Sequence, residues 1–250
     1  MIQSVHDFLR ELAAIPFVGA RHSHVRVWFR GQPEAGLELQ PGVYRPTFLA
    51  ADETARLLIE QHLAQDFRVE SAGLLTGRET DAELYFLQQH YRFPTRLLDW
   101  THTPLASLFF AIDKPTVDGE IFVMDAYQMQ TPGFTNFGVA TSRRDVFRKA
   151  LGQIIGWGRA ADFPDFIIPL RPDHFDRRIA YQQSCFTFHV PKKPILTAVE
   201  NPTLQSFRVP AASKAAIKAQ LSLLGVDEFR IYGDLESLAK RLKTAHGIPW

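Results

Sequence analysis

Apolar positions along this chain switch between helical and strand spacing, and each switch marks an element. From Ser4 to Ala14, residues Val5, Phe8, Leu9 and Leu12 fall on one helical face, with Ser4 placed to cap it. Val25 to Arg30 reads as a strand ending at Gly31, and the prolines and glycines between Gln32 and Pro46 make a loop. Helical spacing returns from Glu53 to Phe67. A second helix opens with a capping box at Thr80-Asp81-Ala82-Glu83 and runs to Tyr91, since Pro94 keeps Phe93 out of the helical region. Thr103 and Pro104 supply an N-cap and a first-turn proline for Leu105 to Ile112, which is apolar nearly all round and is expected to be buried on every side.

Beyond Asp118-Gly119 the spacing predicts strands at Glu120–Met124, Phe166–Leu170 and Cys185–Val190, with a helix carrying Arg143, Arg144, Arg148 and Lys149 between the first two. The tail reads as a helix from Ala211 to Leu224, a strand from Glu228 to Tyr232 and a helix from Leu235 to Thr244 capped by Asp234. No repeat or long linker interrupts the pattern. The expected fold is α+β: a mixed or mostly antiparallel sheet flanked by helices, with a C-terminal α-β-α element. Residues 1–24 form an N-terminal helix and linker, and residues 25–250 one domain.

Composition narrows the function classes. With 46% hydrophobic and 22% charged residues the balance is that of a globular protein, which excludes wholesale disorder. A net charge of +1 argues against a general polyanion binder. The single cysteine, Cys185, excludes an internal disulfide and a Cys-rich zinc module, and its apolar surroundings make it an inert core thiol. The N-terminus lacks the apolar run of a signal peptide, and no stretch reaches the roughly 18 apolar residues of a membrane span. A cytoplasmic protein with no membrane partner is expected.

The densest chemistry lies in Gln88 to Thr101, where an imidazole, a phenol, guanidinium groups, a carboxylate and an indole crowd around Pro94. Such groups are costly to bury without partners. One reading is structural, with Arg96 paired to Asp99 and with Tyr91 and Trp100 as core aromatics. The other is a pocket: His90 and Tyr91 close one helix, while Arg96 and Asp99 precede the N-terminus of the next, where free N–H groups suit an anion. Arg30, at a strand end before Gly31, could likewise face an anion or simply a loop carbonyl. His22 with His24, or His90 and Asp99 with His102, lack a metal-ligand spacing, so no metal is expected; metal-dependent nuclease chemistry ranks last. No nucleophile elbow, Walker loop or Rossmann glycine signature is present. Arg143 to Arg159, interleaved with Phe147 and Trp157, reads as a solvated face, or else as a recognition surface for nucleic acid or protein without catalysis.

Three separated pieces resemble the FRG domain family. They are Phe29-Arg30-Gly31, the run Gln89 to Thr101 with Arg92 in place of glycine, and Arg178, Ile179, Gln182 and Phe186 with Ser184 in place of glycine. The resemblance extends over about residues 25–245. Its order of elements is similar in layout to ADP-ribosyltransferases, which implies NAD as substrate, ADP-ribosyl transfer or NAD hydrolysis, and a microbial defence setting. A nucleic-acid or protein acceptor would receive the group. On that likeness the catalytic set is Arg30, His90, Tyr91, Arg96, Asp99 and Gln182. Contacts to the nucleotide would come from Arg30, Gly31, Tyr91, Thr95 and Trp100, with Tyr91 or Trp100 stacking on nicotinamide. Arg92 is accommodated if its φ is negative, and Ser184 narrows the approach to a ligand.

Overall fold

Local side-chain caps start five of the described α-helices. In the structure, a computed structural model that describes residues 1–20, 22–130, 139–173 and 182–248, the Ser4 hydroxyl accepts from Asp7 N at the head of α1 (Val5–Ala13). After the one-turn α2 (Ser23–Arg26), Asp52 caps α3 (Glu53–Glu70), and Thr80 with Glu83 completes the capping box of α4 (Asp81–His90). Pro104 opens α5 (Pro104–Ala111), but the Thr103 side chain makes no cap bond; its N–H donates to the Thr101 hydroxyl at 2.9 Å. Helices α6 (Asp145–Ile155), α7 (Ala211–Leu223), α8 (Glu228–Tyr232) and α9 (Leu235–Ala245) follow.

The strands β1 (Val27–Gln32), β2 (Leu97–Thr101), β3 (Gly119–Asp125), β4 (Ala140–Thr141), β5 (Ile168–Arg171), β6 (Ser184–Phe188) and β7 (Gln205–Val209) form one sheet in the order β4-β5-β6-β2-β1-β3-β7. The β4–β5 pair is parallel and the other pairs are antiparallel, so the fold is α+β with a mixed sheet flanked by helices. On one face α3, α4 and α6 pack against β2, β5 and β6, while α1, α5 and α7 pack against β1, β3 and β7. The N-terminal helix is therefore part of the core, through Val5, Phe8 and Leu12. The opposite face buries Trp28, Leu98, Trp100, Met124 and Cys185 under loop residues such as Leu39 and Leu196.

Backbones approach very closely where α5 crosses β1. A Cβ on Gly31 would sit 1.8 Å from the Ser107 carbonyl oxygen, and one on Gly119 would sit 2.1 Å from that of Ala111. Only glycine permits this approach.

Several expectations change. Glu228–Tyr232 is helix α8, not a strand, so the tail is α-α-α: Asp227 caps its start, Arg230 N donates to that cap, and Gly233 ends it at φ 66°. The Gln88–Thr101 segment contains a strand, β2, not just a connection between helices. Strand β1 continues through Gly31 to Gln32, and helix α6 begins at Asp145, after Arg143 and Arg144. Helix α5 is not covered on every side, since Phe109 and Phe110 are half-buried and lean on Tyr232. Among the described residues no helix is long and apolar enough to cross a membrane.

Candidate ligand cavity

Strands β1 and β2 stay in register only at Phe29 opposite Thr101, although β1 remains paired to β3 and β2 to β6 along their lengths. Past that pair the sheet parts, at the seam between the two helical clusters. A cavity of about 630 Å³ opens there, within the range of small-molecule sites. Arg30 bridges the gap, its Nη1 donating to the Asp99 main-chain oxygen at 2.7 Å. The carbonyl that ties this arginine thus belongs to a strand residue and not to a loop, and the tie uses one nitrogen of the fork. Arg30 Nε is buried without a hydrogen-bond partner, and so is Nε2 of Gln182, just ahead of β6. Burial draws the Arg30 guanidinium down to about 10, with Asp99 opposing and Arg45 reinforcing the shift, so it stays cationic at neutral pH.

Asp99 exposes its carboxylate to the cavity, and Gln89 at the end of α4 donates to Oδ2 at 2.7 Å. Gln89 is held in turn by the hydroxyl of buried Thr95. Arg45 and Phe48 line the cavity from the chain between β1 and α3, Arg92 and Phe93 from the turn after α4, Phe110 from α5 and Asp113 from just beyond it. Nothing near them in the chain marks Arg45, Phe48, Phe110 or Asp113 as lining residues.

The structure brings together Arg30, Gly31, His90, Asp99 and Gln182 of the expected set. Gly31 is there because α5 demands it. Tyr91 is 63% exposed, outside the lining, with its ring 4.8 Å from that of His90. Trp100 reaches the lining but is buried, and its indole N–H donates to Thr187 Oγ1 at 3.1 Å. That hydroxyl donates onward to His189 Nε2, whose Nδ1 donates to the Pro194 carbonyl. Burial holds His189 down to about 3, hence neutral, and Trp100 belongs to this buried chain.

Arg96 lies elsewhere. Fully buried, it donates to both carboxylate oxygens of Glu60, to Glu53 at 2.6 Å and to the Tyr44 hydroxyl, and stacks over Phe163 at 4.6 Å. It does not pair with Asp99 as its spacing suggested. Burial pushes Glu60 up to about 7 while Arg96 pulls it down; burial disfavours the Arg96 charge too, but Glu60, Tyr44 and Glu53 outweigh it and raise that group. The cluster ties α3 and the Gly42–Tyr44 turn to β2, which fixes one wall of the cavity from behind.

Residues 25–120 match the FRG domain. The chain carries an FRG domain. No curated protein and no solved structure matches the chain. The matched span holds Phe29-Arg30-Gly31 and Gln89–Thr101, two of the three pieces on which the resemblance rests, and they meet at the parting of β1 and β2. The third piece contributes Gln182, Ser184 and Phe186 to the same lining, while Arg178 and Ile179 lie outside the described residues. Ser184 donates to Gln182 Oε1 at 3.5 Å. At Arg92, where the FRG motif has glycine, φ is +64°, so the negative φ expected there is not adopted and a side chain is strained.

Other candidate chemistry of the chain lies apart from the cavity. His102 stands edge-on to Trp28 at 6.0 Å and is outside the lining, so it does not converge with His90 and Asp99. The rings of His22 and His24 are 6.4 Å apart. Among the described residues no group of three or more His, Cys, Asp or Glu side chains could hold a metal. Along Arg143–Arg159, three arginines face carboxylates: Arg143 to Asp173 at 3.3 Å, Arg148 to Asp145 at 3.9 Å and Arg159 to Asp162 at 3.0 Å. Those pairs offset the positive field that a polyanion would seek.

Proposed function

We propose that the cavity of this FRG domain binds a small nucleotide-type ligand such as NAD, and that the protein breaks the bond between the ribose and nicotinamide. The observation that carries this reading is the pair of buried, unpartnered donors, Arg30 Nε and Gln182 Nε2, beneath the lining of one cavity. Each unpaired donor costs about 1–3 kcal/mol. A ligand oxygen that draws them out relieves the cost, which favours an acceptor-rich ligand such as a phosphate. Arg45 and Arg92 add cationic wall, and Phe48, Phe93 and Phe110 offer ring faces for a base in place of Tyr91 and Trp100.

In the chemistry we assign, the C1′–N bond breaks and its electron pair leaves with nicotinamide. The ribose cation that develops is stabilised by the Asp99 carboxylate and captured by water, or by a nucleic-acid or protein nucleophile, which then loses a proton. Positioning and a nearby charge matter more to this step than a strong base. Incubation with NAD and measurement of released nicotinamide tests the reading. Turnover that falls at least about a hundredfold in Arg30→Ala and Asp99→Ala supports it. Absence of both NAD binding and nicotinamide release, with and without nucleic-acid or protein acceptors, contradicts it. A defence setting rests on the family resemblance, and phage plaque counts on cells expressing wild type or Arg30→Ala test it.

A further inference from the structure

Thr95, Gln89 and Asp99 form a chain with a direction. The Thr95 hydroxyl oxygen accepts the Leu97 N–H at 3.1 Å and gives its own proton to Gln89 Oε1. That leaves Gln89 Nε2 to donate to Asp99 Oδ2 at 2.7 Å; the flipped amide would set oxygen against carboxylate. One carboxylate oxygen is therefore tethered from behind. Among the described residues no other hydrogen bond or ion pair meets the carboxylate, and Oδ1 is left as an acceptor at the cavity.

The charges around it restrict what Oδ1 can meet. Three guanidinium groups, on Arg30, Arg45 and Arg92, line the cavity against two carboxylates, on Asp99 and Asp113, so the lining favours an anionic ligand. An anionic group placed against Asp99 would be repelled. The carboxylate is suited instead to a neutral donor carried by an anionic ligand, and paired sugar hydroxyls beside a phosphate meet that description. The Arg30 fork, bound to the main-chain oxygen of Asp99 itself, places the anion site next to the carboxylate.

Building on the cavity as a nucleotide site, we propose that Asp99 selects ligands bearing a vicinal diol, ribose over deoxyribose, and that Gln89 and Thr95 are its positioning residues. Calorimetric titration of the full chain with ADP and with 2′,3′-dideoxy-ADP tests this. Wild type should prefer ADP by roughly ten- to a hundredfold, the worth of a hydrogen bond to a charged group. Asp99→Asn should bring the two affinities together, and Thr95→Val, which frees Gln89, should give a ratio between those of wild type and Asp99→Asn. Equal affinities in wild type overturn the assignment while leaving the nucleotide reading in place. No binding of ADP, dideoxy-ADP or NAD overturns both.

Discussion

Replacing Arg96 with methionine probes how the cavity wall is held. The guanidinium is fully buried and satisfies Glu60, Glu53 and the Tyr44 hydroxyl at once. Methionine occupies much of the volume but donates nothing, which strands the Glu60 carboxyl in a site only 4% exposed. Breaking a buried pair this way costs about 3–5 kcal/mol, from a total of about 5–15 kcal/mol for a typical domain. The loss also gains a pH dependence of fixed sign. Glu60 sits at about 7 in the folded protein against a reference of 4.5, and removing the pull of Arg96 raises it further. A carboxyl raised in the folded state contributes stability that is complete below its unfolded value and is lost as pH climbs through its folded value. Wild type stops losing stability near pH 7, whereas the variant continues to lose it. The deficit therefore widens by up to about 1.4 kcal/mol per unit above that point. Urea unfolding at about pH 6 and about pH 8.5, with midpoint and slope fitted at each, measures it. A deficit below about 1 kcal/mol, the worth of an exposed pair, or an equal deficit at both values, refutes the reasoning.

Other consequences are as direct. Gly31→Ala puts a methyl group 1.8 Å from the Ser107 oxygen and 2.7 Å from Ala111 N, both backbone, so a loss above about 3 kcal/mol is expected; a melting temperature within about 2 °C of wild type contradicts the close approach. Arg92→Gly removes the strain of φ +64° and should stabilise by about 0.5–1 kcal/mol while weakening anion binding, so a lowered melting temperature counts against it. His189, held to about 3 against a reference of 6.5, contributes stability that is present above 6.5 and lost as pH falls toward 3. The slope reaches about 1.4 kcal/mol per unit; acid titration of stability should show this, and His189→Gln should flatten it.

What the sequence disclosed was the chemistry that acts locally. Ser4, Thr80 with Glu83, and Asp234 cap helices as their side chains dictate, and Pro104 opens α5. Misreadings arise where tertiary context decides. In β2, Leu97, Leu98, Trp100 and Thr101 are all buried because the strand is covered on both faces, which erases a period of two. Glu228–Tyr232 alternates like a strand, but Asp227 and Gly233 bracket one helical turn and more. Strand β7 is a partly exposed edge and shows too little apolar pattern to be seen. The site divides in the same way. Arg30 and Asp99 were legible from their motifs, yet the choice of Glu60 as the partner of Arg96, 36 residues away, was not. Nor could neighbours in the chain reveal that Arg45, Phe48 and Phe110 share a wall with Gln182.

The nucleotide site proposed at the parting of β1 and β2 is open to direct test. A crystal structure of the protein grown with NAD or ADP-ribose tests it most directly. Ligand density is expected in this cavity, with phosphate oxygens on Arg30 and ribose hydroxyls on Asp99. Saturating ligand that leaves the cavity unoccupied, or that binds at another surface, contradicts it.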